Sequence, residues 1–174
     1  MQRKFLSNLI LLLFLNLMVK PFWILGIDRG VFNAVGAEEY GFYFAVFNFA
    51  FIFNILLDFG ITNFNNRNIA QNRQLLNKHF SSIVILKFLL SFVYFVVIFI
   101  AGLIMKYDSR QLGMLLLLGF NQFLLSFILY LRSNISGLLM FRTDSVLSVM
   151  DRLLMILFCG ILLWGNFTDT PFRI

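Results

Sequence analysis

The sequence predicts an all-α integral membrane protein with five transmembrane helices. Three observations carry that prediction. The 174 residues are 60% hydrophobic and 13% charged, with a mean hydropathy of +0.88. An ordinary soluble domain is about 45–50% apolar and about 25% charged, so this chain has too little polar surface to coat a globule in water. Second, five apolar runs are long enough to be candidate spans, which need about 18 residues or more. Third, these runs do not alternate. Leu9-Ile10-Leu11-Leu12-Leu13-Phe14-Leu15 and Leu115-Leu116-Leu117-Leu118 have no period of two, as a barrel strand would. Backbone groups in hydrocarbon must be satisfied internally, which leaves helices.

The first span covers about 5–27. It starts with Arg3-Lys4, like a signal peptide, but Lys20-Pro21-Phe22-Trp23 stands where small residues would mark cleavage. An uncleaved helix is expected. Pro21 removes one helix hydrogen bond and crowds the preceding turn, so a kink or break is expected there. Asp28-Arg29, between Gly26 and Gly30, is read as the close of this helix, and Glu38-Glu39 as part of the first loop.

The second span is about 41–60. It is followed by an Asn-rich basic stretch, 63–79, with Ile69, Leu75, Leu76 and Phe80 at rough helical spacing. That stretch is either a short interfacial helix or a solvated cytoplasmic linker. The third span is about 81–105. The fourth is 112–131, or longer if it continues through Gly137. The fifth is about 146–164, with Asp151-Arg152 within it or at its edge, because 153–164 alone is too short to cross.

Lys and Arg set the topology. One side carries Arg3, Lys4, Arg67, Arg73, Lys78, Arg132, Arg142 and Arg152; the other carries Arg29, Lys106, Arg110 and Arg173. The richer side is expected to be cytoplasmic, with the N-terminus on it and the C-terminus outside. The net charge of +6 falls in the breaks between apolar runs, where topology rather than nucleic acid explains it.

An ionisable residue inside a span is costly and faces a partner or a wet cavity. Lys20 is one, with Asn16 one turn earlier on the same face. A cation at a broken helix suits an anionic ligand group; the alternative is snorkelling along its own stem. Arg29 either pairs with Asp28 at the surface or joins such a site. Asp58, one turn after Asn54, either pairs across helices, binds an ion, or reaches interfacial water. Lys87 lies two turns into span three, and either snorkels to anionic lipid or serves a site. Arg132 is a topology marker if helix four ends at Leu131 and a cavity candidate if it continues. Asn121 and Gln122 are expected to bridge helices.

Enzyme signatures are missing. His79 is the only histidine and Cys159 the only cysteine, too few for a metal site or an internal disulfide; Cys159 is expected to pack. There is no nucleophile elbow, phosphate-binding glycine loop or zinc-protease motif. Adjacent Glu38 and Glu39 do not converge as a catalytic pair. No cofactor and no enzymatic activity are expected.

Gly36-Ala37-Glu38-Glu39-Tyr40-Gly41, then an apolar helix, then Leu57-Asp58-Phe59-Gly60, resembles the start of the Wzx-type polysaccharide flippases of the MOP exporter superfamily. Lys20–Arg29 looks like a branch involved in lipopolysaccharide or O-antigen assembly, and Gly137–Arg142 resembles that family's end of helix four. The order and spacing of these motifs carry the likeness over essentially the whole chain. The resemblance implies most of the N-terminal bundle of a transporter in the bacterial inner membrane. It implies alternating access around a cationic cavity, and an undecaprenyl-diphosphate-linked oligosaccharide as substrate. Lys20 and Arg29 would be the leading cavity cations, with Arg132, Asn16, Asp58 and Lys87 as further candidates. Partners would be membrane lipid and the missing C-terminal half of the transporter, since five spans lack a second bundle; the chain is expected to be a fragment. A drug or cation exporter of the same superfamily is the nearest competitor, but it would favour acidic cavity residues. A non-transporting membrane subunit is the other alternative.

Overall fold

The structure is a computed structural model that describes residues 17–164, together with Ile10 and Phe14. The described residues are helical throughout, with short turns between helices and no strand. They fall into two compact units, one of residues up to Gly41 with those from Met140 onward, the other Phe42–Leu139.

In the first unit, residues 17–22 are helical and lead into a π-helical turn, Trp23–Asp28, and then α1, Arg29–Val35. The irregularity expected at Pro21 therefore takes the form of a widened turn just after it, not a break. Wide turns of this kind accommodate a local defect without ending the helix. Asp28-Arg29 does not close this helix, contrary to expectation. Gly30 costs only about 1 kcal/mol relative to alanine, and the helix runs on until Gly36, whose φ of 92° ends it. Asp28 faces inward to accept the Tyr40 hydroxyl at 3.0 Å, and the Phe32 and Tyr40 rings meet edge to face at 5.2 Å. Helix α6, Phe141–Trp164, belongs to the same unit and packs on the π-helical turn.

Helix α2, Ala37–Ile52, continues as a 3-10 turn, Phe53–Leu57. It starts earlier than the sequence suggested. Glu38 and Glu39 are not in a loop but in its first turn, where carboxylates complement the positive end of the helix dipole. It also stops short of Gly60. The stretch 63–79 is mostly helical: α3, Ile61–Gln71, and the start of α4, Leu75–Ile104, occupy it. The helical spacing read across Ile69, Leu75 and Leu76 thus belongs to two helices, with Ile69 buried in the first. Helix α5 runs Ser109–Gly137, the longer of the two readings for helix four.

Helices α4 and α5 form an antiparallel hairpin within the second unit. Its turn is fixed by Lys106 at φ 58°, by Tyr107 N–H donating to Gly102 O at 3.0 Å, and by a capping box in which Asp108 and Gln111 satisfy each other's backbone N–H groups. The core gathers Val46 and Ala50 from α2, Leu57, Tyr94 and Ile98 from α4, and Leu115 and Leu118 from α5. The outer faces are apolar: Phe92, Ile104, Ile85 and Leu117 are each at least 68% exposed. Such a surface suits lipid, not water.

Among the described residues, three helical segments are long and apolar enough to cross a membrane: Ala37–Leu57, Leu75–Ile104 and Ser109–Gly137. Residues 5–9, 11–13, 15 and 16 of the expected first span lie outside the described residues. The expected fifth falls in α6, Phe141–Trp164.

Candidate functional site: a charged helix break in the second unit

The sequence Asp58-Phe59-Gly60 breaks the helical run. Gly60 adopts φ 81°, which costs a glycine little, and Phe59 adopts φ 45°, which is strained for a bulky residue. A break inside a membrane protein frees backbone groups that need partners. The flanking helices supply them. Leu57 O, at the end of the 3-10 turn, accepts from Lys87 Nζ at 3.1 Å and from Ser126 Oγ at 3.2 Å. On the other side of the break, the Asp58 carboxylate accepts the Thr62 N–H at 3.3 Å and the Thr62 hydroxyl, capping the first turn of α3.

Lys87 joins the two sides. Its ammonium donates to Asp58 Oδ1, to Leu57 O and to Ser126 Oγ, the last at 2.9 Å. An ammonium has three donors, and all three are taken. Lys87 is 2% exposed, so it does not snorkel to the surface. The carboxylate of Asp58 keeps 30% exposure. Of the three outcomes open for Asp58 from sequence, the cross-helix pair is the one formed.

Polar contacts continue above and below. Asn54 Nδ2 donates to Gln122 Oε1 at 3.0 Å, while Gln122 Nε2 is buried without a protein partner among the described residues. Gln122 bridges helices as expected, but Asn121 is exposed. On the far side, Asn65 Nδ2 donates to Asn134 Oδ1 at 2.8 Å and to Ser133 Oγ at 3.1 Å. Gln122, Ser126, Tyr130 and Asn134, four residues apart in turn, form one buried polar face of α5. Sequence reading missed Ser126, Asn65 and Asn134. The four-residue spacing in α5 was the signal that could have found Ser126 and Asn134.

Lys20 and Arg29 are exposed and belong to the first unit; Arg132 is half-buried in α5; Asn16 lies outside the described residues. Helix α5 is about 43 Å long at 1.5 Å per residue, well over the ~30 Å of hydrocarbon. Its continuation past Leu131 therefore does not by itself place Arg132 in hydrocarbon. Among the described residues no group of His, Cys, Asp and Glu is arranged to hold a metal.

Long helices with apolar outer faces and a polar seam inside define an integral membrane protein. The chain belongs to the polysaccharide biosynthesis protein family, whose model matches residues 31–167. No curated protein and no solved structure gives a match.

Proposed function

We propose that this protein takes part in moving a lipid-linked oligosaccharide across the bacterial inner membrane, for lipopolysaccharide or related polysaccharide assembly. The observation that carries the reading is the family match over residues 31–167. The chemistry of the intramembrane charges supports it. Lys20 and Arg29 are exposed cations in an apolar context, suited to a diphosphate. In this reading 5–27 and 146–164 are also spans, the N-terminus is cytoplasmic, and transport proceeds by alternating access without bond-making chemistry.

Exposed cations and engaged acids argue against a drug or cation exporter. The Asp58 carboxylate is held by Lys87 and Thr62, leaving it poorly placed to take a cationic drug. Arg132 remains a candidate contact for the substrate, whereas Lys87 and Asp58 act by holding the helix break.

The test is export in a strain lacking the gene and supplied with the whole protein. Lys20→Ala is expected to abolish surface polysaccharide while the protein accumulates normally in membranes. Normal polysaccharide in that variant removes Lys20 from the site.

A further inference from the structure

We propose that a cavity at one end of the α4–α5 hairpin binds an anionic phospholipid of the surrounding bilayer. The cavity holds about 520 Å³, within the roughly 300–1,000 Å³ of small-molecule sites. Leu76, Leu131, Ile135 and Leu138 give it apolar walls, and Asn77 and Ser81 give it polar groups.

Its level follows from helix length. Helix α4, with 30 residues, is about 45 Å long, so about 15 Å of it lies beyond the ~30 Å of hydrocarbon. The sequence says which end protrudes here. From Ile83 to Ile104 the only ionisable side chains are Lys87, already paired, and Tyr94, whereas 77–82 reads Asn-Lys-His-Phe-Ser-Ser. In α5 the apolar run ends at Leu131, followed by Arg132-Ser133-Asn134. Residues 76–81 and 131–138 therefore sit where acyl chains meet headgroups. An apolar cleft with a polar rim at that depth fits one lipid, its chain against the leucines and its phosphate outward.

The charge selects the headgroup. Arg73 and Lys78 are exposed and stand close in sequence to the lining residues Leu76 and Asn77, and Arg67 is exposed on α3. No acidic residue occurs in 59–107 or in 109–139. Three exposed cations at this end of the hairpin favour a net negative headgroup over a zwitterionic one. A soluble anion would use the cations but not the leucines.

The whole protein is placed in phosphatidylcholine nanodiscs doped with photoreactive phosphatidylglycerol or, in parallel, photoreactive phosphatidylcholine. Crosslinks are mapped by mass spectrometry. Crosslinks from phosphatidylglycerol are expected in 76–81 and 131–138, several-fold above those from phosphatidylcholine. Arg73→Ala and Lys78→Ala should each lower that preference about fivefold, and Lys106→Ala, at the other end of α4, should leave it unchanged. Ile135→Trp should fill the cleft and remove crosslinks from both lipids. Equal labelling by the two lipids would mean an ordinary lipid annulus and overturn the proposal. So would unlabelled walls, which would mean that protein covers the cleft. Displacement by a polyprenyl diphosphate but not by phosphatidylglycerol would reassign the cleft to substrate. The wild-type comparison decides the matter even if Ile135→Trp fails to fold.

Discussion

Replacing Lys87 by Met leaves Asp58 without its counter-charge and takes one of two donors from Leu57 O. Breaking a fully buried pair costs about 3–5 kcal/mol. Asp58 keeps 30% exposure, so a loss nearer 2–3 kcal/mol is expected, read as a lowered melting temperature in detergent. Adding Asp58→Asn to Lys87→Met removes the stranded charge and should recover about half of that loss. If the double variant is as unstable as the two single losses summed, the pair is not the connection described here. Both residues stood out in the sequence as ionisable groups in apolar runs. Their pairing did not, because 29 residues separate them and only the fold brings α2 and α4 together.

At the scale of elements, close approach of α3 and α5 depends on Gly137. A Cβ there would lie 2.9 Å from Ile69 Cβ and 3.1 Å from Asn66 O, both rigidly placed. Gly137→Ala should therefore destabilise by about 1–3 kcal/mol. Gly119 looks more crowded, at 2.6 Å, but the nearest atom is Ile98 Cδ1, the end of a side chain that can rotate. Gly119→Ala should cost less, and a melting comparison of the two variants checks the order. Helix α3 was the least legible element. Its stretch is polar, and its helicity depends on Asp58 capping one end and on Asn65 meeting Ser133 and Asn134. The four-residue polar spacing in α5 was written in the sequence, yet its meaning required knowing which face is buried.

For the whole molecule, topology is the property that the proposed transport rests on. Glu38, in the first turn of α2, is expected to face outward if the N-terminus is cytoplasmic. A cysteine at Glu38, in a Cys159→Ser background, should react with an impermeant thiol reagent in intact cells. Reaction only after lysis inverts the topology and moves the basic end of the α4–α5 hairpin to the outer side.

Composition determined that this chain is membrane-embedded, and the lack of alternation in its apolar runs that it is helical. Water cannot cover a chain that is 60% hydrophobic, and lipid permits only structures that satisfy their own backbone. Motif order likewise pointed to the family that the match over 31–167 establishes. Tertiary structure decided where helices end and which charges are available. Helix ends turned on single backbone angles, such as φ 92° at Gly36 and 81° at Gly60, where the other described glycines are carried within helices. The availability of a charge turned on its neighbours: Lys87 looked as free as Lys20 in sequence, but three oxygens from α5 and the α2 break surround it. A buried ammonium is held by whatever oxygens the fold delivers, and contacts made across 29 to 39 residues leave no local trace in the chain.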